Sequence, residues 1–190
     1  MKKVLFTIIL SGLFLTGLQA QGDLKFGATG GLIYSSIGVK ANIAGVNLLN
    51  LNAVDGFGFY VGAIGDFAIS EKFHVQPELT YASAGDLGYV QIPIMAKYYV
   101  IDKLNVQVGP QFSISTTASK IKDILDLVDA GDAVNSLGVD IGFGAGYDIT
   151  DNLSAQARFS GELTNRYSGP GSGIGKLRAT NFVVGVAYFF

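Results

Sequence analysis

The sequence predicts an all-β fold, an eight-stranded antiparallel up-and-down transmembrane β-barrel, and two observations lead to it. From Phe57 onward, apolar and polar residues alternate with a period of two, which is typical of strands with two different faces. Beyond Ala20, no apolar run approaches the length that a transmembrane helix needs. A chain of this kind can cross a membrane only as a closed barrel, because lipid offers no partners for unpaired backbone groups.

The composition excludes several classes of function. The net charge of the 190 residues is −2, so nothing points to nucleic acid as a partner. Charged residues make up 15% of the chain, against about 25% in an ordinary soluble domain. Cysteine is absent, which excludes disulfides, thiolate catalysis, cysteine zinc sites and a lipoprotein anchor.

The N-terminus has the features of an export signal. Lys2 and Lys3 precede a mostly apolar stretch at 4–15, and Ala20 offers a small residue at a cleavage point. A membrane anchor helix is the alternative, but roughly a dozen apolar residues are too few to span a bilayer. We therefore expect residues 1–20 to be a signal peptide and residues 21–190 to form the barrel domain.

Alternation divides the mature chain into eight predicted strands, whose apolar faces carry no charged residue. They are expected at about 25–34, 57–69, 73–81, 89–100, 104–114, 137–149, 153–163 and 180–190. Short turns at 70–72, 101–103 and 150–152 alternate with longer connections at 35–56, 116–136 and 165–176, and a short one at 84–88. In membrane barrels, short turns face the periplasm and long loops face the exterior.

The direction of the two faces distinguishes a membrane barrel from a soluble one. A lipocalin-like barrel shows the same alternation with its apolar face turned inward. Here the other face is rich in Gly, Gln, Ser and Asn, which suits a confined lumen. Aromatic residues also recur three positions before a turn or before the chain end, as expected of a membrane-interface girdle: Phe67, Tyr98, Tyr147 and Tyr188, together with the terminal Phe190.

Three stretches then suggest a family: FHVQPELTY at 73–81, YVQIPIMAKYYV at 89–100 and VQVGPQFS at 106–113. With the terminal Phe190, they resemble the porin-family, PorT-like outer-membrane β-barrel domain of gram-negative bacteria. The resemblance implies an OmpX-like or OmpA-like eight-stranded barrel, placed in the outer membrane by the barrel assembly machinery. It implies no defined activity for most members, although the founding type is associated with protein secretion.

Charged residues on the polar faces are candidates for a lumen network. Counting from the turn at 70–72 places Asp66 opposite Gln76, with Lys97 in the same layer. Glu78 and Arg158 are expected about one layer higher. An eight-stranded barrel is just wide enough for side chains to fill, so we expect Asp66, Glu78, Lys97 and Arg158 to plug it. The alternatives are pairs that merely stabilise a closed barrel, or a gated conduction path.

A second candidate is a carboxylate pair near the outer mouth. Asp140 and Glu162 are expected directly across from each other, where like charges repel. An arginine (Arg158, Arg166 or Arg178), water or a bound cation could relieve the repulsion. Carboxylate pairs also serve acid–base catalysis, but the single histidine, His74, follows a turn at the other end. We therefore predict no enzyme, no catalytic residues, no cofactor and no metal site.

Two loops have unusual patterns. Apolar residues at helical spacing predict a short amphipathic helix within 120–134. The connection at 35–56 is unusually apolar, which indicates strand extension or contact with lipid or protein.

The function favoured by these patterns is a non-catalytic outer-membrane barrel that supports envelope integrity or surface interactions through its outer loops. One alternative is a narrow porin or a transport or secretion accessory. Another is a secreted soluble β-barrel that binds a small apolar ligand. The expected partners are outer-membrane lipids, the assembly machinery during insertion, and a protein that contacts the outer loops.

Overall fold

Each strand that the structure describes runs antiparallel to the two strands beside it. The computed structural model describes residues 24–43, 46–116, 135–166 and 175–190, with the backbone alone at 39–54 and 175–177. The predicted signal peptide, the predicted helix within 120–134 and most of the connection at 165–176 lie outside these residues. The described strands are β1 (Leu24–Ile43), β2 (Val46–Ala68), β3 (Phe73–Ala84), β4 (Leu87–Ile101), β5 (Leu104–Ser115), β6 (Leu137–Asp148), β7 (Leu153–Glu162) and β8 (Gly175–Phe189).

The eight strands close into one barrel in chain order. Each strand pairs with the next, and β8 pairs with β1 from Gly27↔Phe189 to Ala41↔Gly175. Closure leaves no free edge in the wall of the barrel, which lipid requires. The prediction of an eight-stranded antiparallel up-and-down barrel is confirmed.

The two faces of the wall have opposite chemistry. Large apolar side chains point outward, among them Phe59 at 57% and Phe143 at 55% exposure. Polar side chains point inward and are buried, including Gln76, Gln107 and Asp140. A soluble barrel with an apolar lumen needs the reverse arrangement, so the alternative of a secreted barrel that binds an apolar ligand is wrong.

The first hairpin is longer than predicted. β1 and β2 have 20 and 23 residues, whereas a membrane-spanning strand needs about 9–11. The connection expected at 35–56 is therefore mostly strand, as the strand-extension alternative proposed. We call residues 35–43 and 46–56 the raised hairpin. Its pairing shifts register between Ile37 and Gly38 and between Ala41 and Asn42.

Short turns close one end of the barrel, called the turn end, and the opposite end is called the loop end. After β2, the Ile69 and Ser70 amides both donate to the Phe73 carbonyl, and Ser70 Oγ accepts from the Phe73 amide at 3.1 Å. Thr150 Oγ1 caps the turn after β6 in the same way, accepting from the Leu153 amide at 3.1 Å. Local side-chain acceptors thus fix these turns and the register of the strands they join.

One tight turn at the loop end needs glycine. Between β3 and β4 only Gly85 and Asp86 remain, and Gly85 has φ +57°. The Gly85 amide donates to the Phe57 carbonyl at 3.2 Å, which joins the turn to β2. Left-handed backbone is costly for residues with a Cβ, so glycine permits this short connection.

No helix in the described segments is long and apolar enough to cross a membrane.

Candidate functional site: the polar lumen

Alternation directs nearly every polar strand residue into the lumen, where side chains from opposite walls meet. Since eight strands leave room for side chains only, the polar groups must bond to each other or to enclosed water. Three clusters result. We call them the central cluster, the turn-end cluster and the loop-end cluster.

The central cluster is built on an ion pair across the lumen. Arg158 on β7 donates through Nη1 and Nη2 to Glu78 Oε1 and Oε2 on β3, at 2.8 and 2.9 Å. The two side chains are 4% and 0% exposed. Such a bidentate pair is the strongest arrangement available to these groups. It ties two distant walls of the barrel together through its centre.

Amide side chains extend the central cluster to β1 and β2. Gln76 Nε2 donates to Glu78 Oε1 at 2.8 Å and to Gln156 Oε1 at 3.3 Å. Gln156 Nε2 in turn donates to Thr29 Oγ1 at 3.2 Å and to the Tyr60 hydroxyl at 3.4 Å. Hydrogen bonds therefore connect β3 with β7, β1 and β2. This arrangement fills the middle of the lumen with bonded side chains.

The turn-end cluster surrounds Asp66. Lys97 Nζ donates to Asp66 Oδ2 at 2.6 Å, and His74 Nδ1 lies 2.5 Å from Asp66 Oδ1. The Tyr99 ring lies beside both Lys97 and His74, 5.3 Å from Lys97 Nζ and 5.0 Å from the His74 ring. Tyr99 also donates its hydroxyl proton to Asp148 Oδ2 at 2.8 Å. The buried Lys97 thus has a carboxylate on one side and an aromatic face on the other.

A cavity of about 390 Å³ lies at the turn end of the barrel. The turn-end cluster forms its inner wall, and Lys25, Glu71 and Asp151 contribute to its lining. No serine hydroxyl bonds to His74 in the described segments, so the Asp66–His74 pair has no nucleophile attached. Within the same segments, no three His, Asp or Glu side chains are grouped as metal ligands.

The loop-end cluster contains the carboxylate pair. Asp140 is directly paired with Glu162 in the register of β6 and β7. Arg166 Nε donates to both oxygens of Glu162, at 2.7 and 2.9 Å, and the Ala179 amide donates to Glu162 Oε2 at 2.8 Å. Arg166 is therefore the arginine that neutralises Glu162, whereas Arg158 is engaged with Glu78.

Asp140 is held by neutral groups instead. Gln111 Nε2 and Ser113 Oγ both donate to Asp140 Oδ2 at 3.0 Å. Ser113 Oγ also accepts from Arg166 Nη2 at 3.0 Å, so the guanidinium reaches Asp140 only through the serine. The second oxygen of Asp140 has no hydrogen-bond partner in the described part of the chain.

The five predicted interface aromatics all lie on the outer surface near the turn end. Tyr98, Tyr147 and Tyr188 are about half exposed, Phe190 is 84% exposed, and Phe67 is partly covered by Phe26. The Tyr188 and Phe190 rings are 5.9 Å apart. Their placement at one end of the wall fits a membrane interface, and the role itself stays a prediction.

Sequence reasoning missed several members of the lumen clusters. His74 alternates in phase with Gln76 and Glu78, which could have placed it in the lumen beside Asp66. Gln156 and Tyr60 are also in phase, but nothing in the sequence indicates that they meet across the barrel. Arg166 lies beyond the predicted seventh strand, so its inward direction follows from the loop backbone and not from alternation.

The sequence matches one family model. Residues 86–167 match the family described as outer membrane protein beta-barrel domain, which covers β4 to β7 and the connection beyond β7. The match is to this general family and does not extend to the PorT-like type. No curated protein matches the chain.

Several solved structures are similar in shape. Ail, the attachment invasion locus protein of Yersinia pestis, solved with the heparin analogue sucrose octasulfate, is 9% identical with a TM-score of 0.46, covering 88% of this chain and 99% of its own. Neisserial surface protein A is 13% identical with a TM-score of 0.45, at 86% and 99% coverage. OprG from Pseudomonas aeruginosa is 12% identical with a TM-score of 0.42, at 90% and 98% coverage. The fold of this chain is defined by its own strand pairing.

Proposed function

We propose that this chain, an eight-stranded barrel of the outer membrane, is a non-catalytic surface protein that binds a protein partner through its raised hairpin. The observation that carries the proposal is the unequal length of neighbouring strands. β2 begins at Val46, but its pairing with β3 begins only at Gly58↔Ala84. Residues 46–56 therefore have no partner strand on their β3 side within the described segments. We call this side the free edge.

The free edge is long enough to take up another strand. Eleven residues extend roughly 35 Å at about 3.3 Å per residue. The opposite side of the hairpin is occupied, because β1 pairs with β8 as far as Ala41↔Gly175. An open row of N–H and C=O groups is a template for an added strand. The favoured occupant is an extended segment of another protein at the cell surface.

The sequence of the free edge is consistent with a binding role. Natural proteins protect exposed edges with lysine, proline or inward charges. Residues 46–56 contain neither lysine nor proline, and Asp55 is their single charge. Three asparagines, Asn47, Asn50 and Asn52, are interspersed among apolar residues and keep the segment compatible with water.

The bonded lumen supports a surface role over a porin role. The Arg158–Glu78 pair and the glutamines around it cross the middle of the barrel. A purified barrel with this interior should give no large steady conductance in a planar bilayer. Steady channels in the wild-type protein would favour the narrow porin or transport accessory.

A strand peptide tests the free edge directly. The probe is a labelled synthetic peptide with the sequence of residues 46–56, and the control is the same peptide with proline at two alternate positions. The purified barrel in detergent should bind the first peptide and not the second, measured by fluorescence anisotropy. Equal binding of both peptides would overturn the proposal.

Hydrogen exchange gives an independent test in the same sample. Alternate amides of residues 46–56 point to β1 and to the free edge, so every second amide should exchange fast in the barrel alone. These amides should become protected when the peptide binds. Protection of all of them before any peptide is added would mean that the edge is already covered, and the proposal would be wrong.

A further inference from the structure

One wall of the lumen contains most of the buried polar atoms that lack partners. In the described segments, six buried side-chain atoms have no hydrogen-bond partner. Five of them belong to inward residues of β4, β5 and β6: Tyr89 Oη, Gln91 Nε2, Asn105 Nδ2, Gln107 Oε1 and Asp140 Oδ1. Such atoms are rare in native proteins, and bound water commonly satisfies them.

The five atoms form two groups along the barrel. Gln91 on β4 is the register partner of Ser113 on β5, and Ser113 donates to Asp140. Arg166, which donates to Ser113, lies 5.7 Å from the Tyr89 ring. Tyr89, Gln91 and Asp140 thus lie together toward the loop end. Asn105 and Gln107 lie toward the turn end, opposite Tyr99 and Lys97 in the register of β4 and β5.

A single apolar side chain separates the two groups. Gly109 on β5 pairs with Gly142 on β6. On β4, Pro93 pairs with Gln111 and Lys97 pairs with Gln107. Met95 lies midway between Pro93 and Lys97 and is therefore opposite Gly109. A Cβ on Gly142 would lie 3.4 Å from Met95 Cε. Met95 is 0% exposed. It is therefore the one side chain in this row of three strands, and its end lies over Gly142.

We propose that the β4–β6 wall binds water in two separate pockets and that Met95 is the hydrophobic barrier between them. Water suits both groups because it donates to the Asp140 and Gln107 oxygens and accepts from the Gln91 and Asn105 amides. A metal cation would bind the oxygens alone and leave the amide donors unpaired. Apolar constrictions of this kind stop permeation by excluding water.

The inner pocket adjoins the cavity at the turn end. Lys97 and Tyr99, the register partners of Gln107 and Asn105, both line that cavity. Removing the Met95 side chain would therefore join the outer pocket to the cavity along the β4–β6 part of this row, which would then contain only glycine and alanine. This inference concerns water in the lumen and is independent of the proposed partner at the free edge.

The wild-type protein tests the water sites. In detergent-solubilised barrel, the side-chain NH₂ groups of Gln91 and Asn105 should show cross-relaxation with long-lived water in NMR spectra. The NH₂ group of Gln156, which donates to Thr29 Oγ1 and to the Tyr60 hydroxyl, is the matched control and should show much weaker transfer. No water signal at Gln91 and Asn105 would overturn the proposal.

Proton entry into vesicles tests the barrier. Vesicles containing a pH-sensitive dye receive wild-type barrel, Met95→Ala or Met95→Leu, and the external pH is lowered. Met95→Ala should acidify the interior several-fold faster than wild type, and Met95→Leu, which keeps the volume, should match wild type. Equal rates for Met95→Ala and Met95→Leu would overturn the barrier.

Folding is checked by heat-modifiable migration on gels before each flux measurement. If Met95→Ala does not fold, Met95→Val serves as the smaller side chain and should also acidify faster than Met95→Leu. A Met95→Val rate equal to that of Met95→Leu counts against the barrier. The NMR measurement on the wild type stands whichever variant folds.

Discussion

Seven charged side chains of the described segments lie almost wholly inside the barrel. Four are carboxylates and three are cations: Asp66, Glu78, Asp140, Glu162, Lys97, Arg158 and Arg166. Three carboxylates contact a cation directly, and Asp140 does not. A buried pair adds little net stability by itself, but loss of one partner leaves a costly unpaired charge. The lumen charges therefore make closure of the barrel sensitive to single substitutions.

The central pair gives the first prediction. Arg158→Ala should lower the free energy of unfolding by about 3–5 kcal/mol, because Glu78 stays buried without a counter-charge. The double variant Arg158→Met with Glu78→Gln should recover most of this loss. Urea unfolding in phospholipid vesicles measures both, with the exposed Lys25→Ala as control. Equal losses in the single and double variants would show that packing, and not charge, dominates at this site.

The loop-end cluster gives the second prediction. Arg166→Gln should destabilise the barrel by about 3–5 kcal/mol, because Glu162 then faces Asp140 without its cation. Adding Asp140→Asn removes the repulsion, so the double variant should be more stable than Arg166→Gln alone. The coupling energy from the double-mutant cycle should fall at about 0.5–3 kcal/mol. A coupling energy near zero would mean that the two carboxylates do not interact.

The turn between β3 and β4 depends on one backbone conformation. Gly85→Ala should cost about 1–2 kcal/mol, because a Cβ disfavours the left-handed region. The nearest atom to that Cβ would be Gly56 Cα at 3.7 Å, so steric contact adds little. Gly85→Asn should lose less, since asparagine tolerates this conformation. Unfolding in urea measures both variants, and an equal loss for the two would point to a cause other than φ.

The positions of most strands could be predicted from the sequence. From Phe57 onward, each strand has lipid on one side and a polar lumen on the other, so alternation locates it within a few residues. The raised hairpin leaves the lipid, and at Leu48 and Leu49 the alternation stops. Without two contrasting environments, an extended strand and an apolar loop have similar sequences. The length of β1 and β2 therefore becomes evident only from their pairing.

The lumen contacts show a different limit. Counting from a short turn relates residues on neighbouring strands, such as Asp140 and Glu162, since strand pairing has a fixed register near the turn. Contacts across the lumen depend on strand tilt and stagger after closure. The bonds from Arg158 to Glu78 and from Gln156 to Tyr60 are of this second type. Arg166 adds a third case, because an irregular backbone after β7 directs it inward.

The outer surface of the barrel must match the depth of the bilayer. Val108 lies in the middle of the outer face of β5, and Leu104 lies at its turn end. Val108→Lys should cost about 2–4 kcal/mol of unfolding free energy in lipid vesicles, and Leu104→Lys about 0–1 kcal/mol. The charge is the same in both variants, so the difference reports depth alone. In a soluble barrel both side chains would face water, and equal small effects would contradict the membrane position of this wall.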